Sequence, residues 1–219
     1  MYRFYSQIDF KEGEKITLPN DEIHHLKHVL RVKNGEKIEV VNGCGQLAIA
    51  IFDEFITIES IVTAQQRRKT ILIQAYPQHA NLELILEKCT EIGISDFYLF
   101  PSSKSPYKYI SENKKSRCQK IIISALKQCK RLHLPKITFF SSIDEMHLIG
   151  IKVFLTDPCG DQFTQTKEDV AIIVGPESGF SNNEINHFIN KLEAISVKLS
   201  NNILRCETAA IASSFMICS

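Results

Sequence analysis

From Thr70 onward, short apolar runs alternate with helix-patterned segments, and this rhythm leaves few folds open. The runs "TILIQAY" (70–76), "DFYLF" (96–100), "KITFF" (136–140), "KVFLT" (152–156), "VAIIVG" (170–175) and "ISVKL" (195–199) read as strands. Helices are expected over 82–92, 112–132, 143–149, 182–192 and 207–217, the first stopped by Gly93. Ser142 with Glu145, and Ser181 with Glu184, have the spacing of capping boxes. Strand and helix in turn imply an α/β domain with a mostly parallel sheet. Ligands of such sheets bind in loops at the carboxyl ends of strands, where "GPESG" (175–179) and "SNNILRCE" (200–207) fall.

Residues 1–69 have a different texture. Strands "KITL" (15–18), "EKIEVV" (36–41), "QLAIAIF" (46–52) and "FITIESIV" (55–62) are rich in β-branched residues. "NGCG" (42–45) marks a hairpin, and one helix is expected over 21–31. Many short strands with tight turns indicate a small barrel or sandwich, and the polar "AQQRRK" (64–69) reads as a linker.

The loop at 175–179 is no known phosphate loop. It lacks the lysine of a P-loop and the Gly-x-Gly-x-x-Gly of a dinucleotide site, and the "GCG" at 43–45 sits in a hairpin turn. Gly175 and Gly179 let backbone groups approach a ligand, and Pro176 stiffens the turn. Glu177, its one charged group, could face a cationic ligand or neutralise an arginine; an ordinary strand-to-helix turn is the plain alternative. In the second loop Arg205 and Glu207 precede a helix of small residues (Ala209, Ala210, Ala212, Ser213, Ser214), suited to close packing against another helix or a partner subunit.

Charge is unevenly spread. Residues 104–136 hold ten Lys/Arg against Glu112, a net of +9, which leaves −8 for the rest of a chain whose net charge is +1. A polyanion partner is implied. In the helix expected at 112–132, Arg117, Lys120, Ser124, Lys127 and Arg131 form one stripe, and Cys118, Ile122, Ala125, Cys129 and Leu132 an opposite apolar one. About four phosphates on the basic stripe would give a log K against log salt slope of about −3.6. His24, His25 and His28 lack a third ligand pattern and an H-E-x-x-H glutamate, so no metal is expected; they read as surface residues or residues on the polyanion side, near Arg3 and Arg31. The seven cysteines show no Cys-x-x-Cys and suit free thiols in a reducing compartment. No stretch is apolar enough to span a bilayer and the start has no signal layout, so no membrane partner and a cytoplasmic location are expected.

"IVGPESGFSNNEI" (173–185) followed by "LSNNILRCETAAI" (199–211) resembles the paired C-terminal motifs of the ribosomal RNA small subunit methyltransferase E family, the uracil-N3 enzymes of the SPOUT superfamily. "HHLKHVLRVKNGE" (24–36), "EKCTEIG" (87–93) and "ALKQCKRLHLP" (125–135) are similar to further family segments, so the likeness runs along nearly the whole chain. The resemblance implies a small PUA-like, RNA-binding β-barrel over 1–69 and a trefoil-knot α/β methyltransferase domain over 70–219. It also implies S-adenosylmethionine as donor, a homodimer, and a uridine of 16S rRNA in the small ribosomal subunit as acceptor. The chain departs from the family at Ser178 and Ser200, where the family has glycine, at Cys206, and in "QHANL" (78–82) and "SKS" (103–105), which fall at expected RNA-side positions.

Uracil N3 must lose its proton and lie in line with the methyl group. On the resemblance, Arg205 stabilises the developing uracil anion and Glu207 orients Arg205 or accepts the proton; a structural ion pair between them is the alternative. Leu155, Thr156, Gly175, Pro176, Glu177, Ser178, Gly179, Leu199, Ser200, Ile203 and Leu204 are expected to enclose the donor. Arg3, His25, Arg31, Lys104, Arg117, Lys120, Lys127, Gln128 and Arg131 are expected on the RNA side. Rival readings are a non-catalytic RNA-binding assembly factor of the same fold and a ribose 2′-O methyltransferase.

Overall fold

β-Branched alternation produces the N-terminal sheet. In the computed structural model, which describes residues 1–65 and 68–219, β1 (Arg3–Tyr5), β2 (Lys15–Ile16), β3 (Glu36–Val41), β4 (Gln46–Phe52) and β5 (Ile56–Thr63) lie in the order β1-β3-β4-β5-β2. Gln66 and Arg67 of the expected linker lie outside the described residues. β3 and β4 pair antiparallel from Glu36–Phe52 to Val41–Leu47. The Asn42 side-chain oxygen turns the hairpin by accepting from the Cys44 and Gln46 amides at 2.8 and 3.0 Å. β1, absent from the sequence reading, pairs parallel with β3. Inward residues Phe4, Ile38, Val40, Ala48, Ala50 and Ile58 bury completely or nearly so, with Leu26 from the helix. That helix runs as α1 (Asn20–His24) and continues in a π-turn over His25–Val29, ending where Arg31 adopts φ 52°. Ile123–Leu134 belongs to the same compact unit, with Leu126 packed against Tyr5 and Val41.

The second unit comprises Arg68–Ile122 and Pro135–Ser219. Its strands are β6 (Thr70–Ala75), β7 (Asp96–Phe100), β8 (Lys136–Phe139), β9 (Lys152–Gln162), β10 (Val170–Val174) and β11 (Ile195–Lys198). They form one sheet in the order β11-β9-β10-β6-β7-β8, with every pair parallel. Central β6 and β10 are buried along their whole length, as a parallel sheet covered on both faces requires. Each fully buried Ile or Leu there contributes about 1.5–3 kcal/mol relative to exposure. The helices are α2 (His79–Ile92), α3 (Glu112–Gln128), α4 (Asn182–Lys191) and α5 (Cys206–Cys218). α3 stops short of the expected 132, and a single 3-10 turn at Ile143–Glu145 stands where a helix over 143–149 was expected.

Small residues let α5 settle against α2. Ala210, Ser213 and Ser214 are fully buried, and the Ser214 hydroxyl donates to Cys89 Sγ at 3.2 Å. β9 runs past the expected 152–156. Its pairing with β11 jumps from Leu155–Ser196 to Asp161–Val197, so residues 156–160 bulge out of the ladder. Gly160 permits the return, because a Cβ there would lie 2.6 Å from the Ser196 carbonyl carbon.

Candidate active site

The bulge of β9 and the loops at the carboxyl ends of β10 and β11 enclose a cleft of about 860 Å³. β10 leads into Gly175, and the Gly179 amide donates to the Pro176 carbonyl at 2.9 Å to close a turn. Gly179 sits at φ 66°, a conformation glycine adopts without strain. α4 then starts on its own cap. The Ser181 hydroxyl and the Glu184 carboxylate form the expected capping box, and Glu184 also accepts from the Ser103 amide and hydroxyl, both at 2.6 Å. Burial raises the Glu184 pKa, but the bonds from Ser103 and Ser181 outweigh it and hold the carboxyl below its ordinary value.

Behind the turn lies a buried polar knot. Gln74, fully buried on β6, donates its amide toward the carbonyls of Ala75, Val174 and Gly175. The Cys206 thiol donates to the same Gly175 carbonyl at 3.0 Å. Burial pushes this thiol up to about 12, and the Glu177 and Glu207 charges add to the shift, so it stays a neutral donor. The Gly175 carbonyl is therefore engaged from within. The Thr156 hydroxyl donates to Ile173 O at 3.0 Å, and the Ser200 hydroxyl accepts from the Asn202 amide.

Among the described residues Glu177 pairs with no arginine. Its Oε1 accepts from the Gln78 amide at 2.9 Å and from Asn81 Nδ2 at 2.7 Å, so it completes the N-terminus of α2. Two residues of the divergent "QHANL" segment thus support the cleft loop. Arg205 and Glu207 flank Cys206 at the start of α5 and line the cleft; among the described residues neither side chain has a hydrogen-bond or ion-pair partner. The lining carboxylates are Asp157, Glu177 and Glu207 against Arg205, with no lysine. An acidic cleft with apolar Leu155, Ile185, Leu199, Ile203 and Leu204 suits a cationic ligand with an apolar ring and does not suit a nucleotide phosphate.

All eleven residues expected to enclose the donor, with Arg205 and Glu207, line this one cleft. Gln78, Asn81 and Asp157 also line it and were not anticipated. The first two reach it through Glu177, across nearly 100 residues of sequence; Asp157 comes from the β9 bulge.

The residues expected on the RNA side are more dispersed. Arg3 Nε donates to Glu39 at 2.7 Å and its side chain is only 8% exposed, so it braces β1 against β3. His25 packs edge-on to Phe4, and Arg31 is exposed. Lys104 Nζ donates to Phe180 O beside the cleft turn. Arg117 makes two 2.6 Å bonds to Glu83, which also accepts from Lys114. Lys127 pairs with Glu22. Lys120 and Gln128 are exposed on α3, and Arg131 lies beyond its end. Among the described residues no cluster fit for a metal ion occurs.

A family model described as an RNA methyltransferase domain matches residues 64–217, and one described as an RNA methyltransferase PUA domain matches 18–52. The chain belongs to this RNA methyltransferase family. Its resemblance to ribosomal RNA small subunit methyltransferase E holds: the enzyme of that name from Buchnera aphidicola is 28% identical, over 95% of this chain and 89% of its own length. A Neisseria gonorrhoeae structure of that name, bound to S-adenosylmethionine, superposes with a TM-score of 0.87 at 24% identity, covering 98% of this chain and 95% of the other. A Legionella pneumophila structure described as a methyltransferase in complex with bound S-adenosylmethionine gives 0.86 at 25% identity, covering 97% and 94%. The fold is thus a SPOUT-type, trefoil-knot α/β methyltransferase domain with a mostly parallel sheet, preceded by a small PUA-like barrel.

Proposed function

We propose that this methyltransferase moves a methyl group from S-adenosylmethionine to N3 of one uridine in 16S rRNA of the small ribosomal subunit. The observation that carries the reading is the meeting of both C-terminal loops in one acidic cleft, with Arg205, unpaired among the described residues, at its wall. S-adenosylmethionine, when bound, supplies an electrophilic methyl group on a sulfonium. The apolar walls from Leu155, Leu199, Ile203 and Leu204 suit its adenine and thioether parts, and the excess of carboxylates suits its positive charge.

The acceptor side falls to Arg205 and Glu207. Uracil N3 becomes nucleophilic only as its proton leaves, and negative charge then spreads onto the ring oxygens. A guanidinium without an internal partner can meet that charge with preorganised hydrogen bonds. Glu207, unpaired among the described residues, takes the N3 proton or closes on the guanidinium only once substrate is bound. The base must leave its stack or pair, at a cost of a few kcal/mol, which basic residues outside the cleft offset. We assign RNA engagement to the barrel of residues 1–69 and to the exposed cations of α3, and donor binding to residues 70–219. The active form is a homodimer, working in the cytoplasm where ribosomes assemble.

The test is incubation with S-adenosylmethionine and small subunits lacking the modification, followed by reverse transcription along 16S rRNA. Methyl on N3 blocks pairing, so a new stop at one uridine is expected. No stop, with an active control enzyme proving donor and subunits competent, overturns the reading in favour of a binding factor or a ribose target.

A further inference from the structure

Three aromatic rings stack beside the cleft, and the proposed methyl transfer does not use them. Tyr76, at the end of β6, is 3% exposed. The Tyr107 ring stacks on it at 5.4 Å between centroids and 18° between planes. His79, the first residue of α2, stacks on Tyr107 at 4.2 Å and 26°. His79 itself is exposed, so the stack runs from the core and ends in solvent. Tyr107 is half-buried, with one ring stacked on each side of it. Packing alone would account for the inner two rings but not for a third, flat ring laid over them facing water.

Position makes the outer ring informative. Gln78, the neighbour of His79, and Asn81 line the cleft and hold Glu177. His79 does not itself line the cleft, but its exposed imidazole stands on the first turn of α2, between two residues that do. The loop that carries Tyr107 also carries Lys104 and Lys108, whose ammonium groups are anchored on the carbonyls of Phe180 and of Ser102 and Ser103. A rigid ring with fixed cations on the neighbouring loop is the arrangement by which single-stranded nucleic acid is held, bases on rings and phosphates near charge.

We propose that the exposed face of His79, backed by Tyr107 and Tyr76, is a stacking platform for one unpaired base of the RNA substrate beside the methyl-transfer cleft. This rests on the RNA-methylating function proposed above. The platform favours substrates in which a base is already out of the helix, and tolerates any base because each has a π-face.

The probe is a short unpaired RNA carrying one 2-aminopurine, whose fluorescence is quenched on stacking, and the same RNA with an abasic residue at that place. Base-on-ring stacking is worth about 1–3 kcal/mol, so His79→Ala should weaken binding of the base-containing RNA by about 5- to 150-fold and abolish the quench. His79→Phe should restore both. The abasic RNA should bind wild type and His79→Ala alike, with parallel salt slopes, because no phosphate contact is lost. Equal binding of the 2-aminopurine RNA by wild type and His79→Ala, in a protein that methylates its RNA, overturns the platform alone. Equal weakening of both RNAs by His79→Ala overturns it in favour of a backbone contact. Wild-type protein that neither binds nor methylates RNA overturns the functional reading, and the platform with it.

Discussion

Arg205 sets the residue-scale expectation because it is a cation in a cleft with no side-chain partner among the described residues. Its replacement by alanine leaves no neighbour stranded, so the fold should survive. Removing one preorganised donor to a developing anion costs about 10²–10³ in kcat. Arg205→Ala should show that loss in single-turnover methylation while donor affinity, measured by calorimetry, hardly moves; loss of donor affinity instead would place Arg205 on the wrong ligand. Glu83 gives a pH-dependent expectation. Hydrogen bonds from Arg117 and then Lys114 hold its carboxyl down from 4.5 to about 2. A depressed folded pKa means the stabilisation is complete above about 4.5 and disappears as pH falls toward about 2. Arg117 faces solvent, so the effect is small. Melting temperatures of wild type and Glu83→Gln should differ at neutral pH and converge toward the acid end; a gap that persists at low pH would disprove the linkage.

At the scale of elements, the start of α4 serves two purposes. Ser181→Ala removes one cap and should cost about 1 kcal/mol, or a few degrees in Tm. Glu184→Ala should cost more, because Glu184 also ties down Ser103. Hydrogen exchange in loop 101–105 should quicken in Glu184→Ala and stay unchanged in Ser181→Ala; equal exchange in both would mean the loop is held elsewhere. This cap was legible in the sequence because both partners are three residues apart. So were the central strands, whose apolar runs need no distant information, and the cleft-lining loops, which the resemblance marked. Other boundaries depend on distant contacts. α2 begins at His79 rather than 82 because Glu177 caps it from another loop. β9 extends to Gln162 because Gly160 fits against β11. α3 ends early because Lys130 adopts φ 61°, a choice no glycine announces. β1 is three residues long and exists only through pairing with β3.

At the scale of the whole molecule, charge segregation is softened by pairing. The +9 of residues 104–136 is read off composition, yet Glu83 and Glu22 from outside that segment hold Lys114, Arg117 and Lys127. A cation already matched by a carboxylate neutralises less phosphate charge and so releases fewer counterions from the RNA. With Arg117 and Lys127 so matched, the slope should be shallower than the four-phosphate value of about −3.6. Glu83→Gln releases Arg117 and Lys114 without adding a positive residue. RNA binding by this variant, titrated across salt concentrations, should steepen by about 0.9–1.8 in slope and tighten at low salt. A wild-type slope near −3.6 that Glu83→Gln leaves alone would show that phosphate displaces the carboxylates on binding. The internal pairs would then hold the cations in place for RNA and take nothing from its affinity.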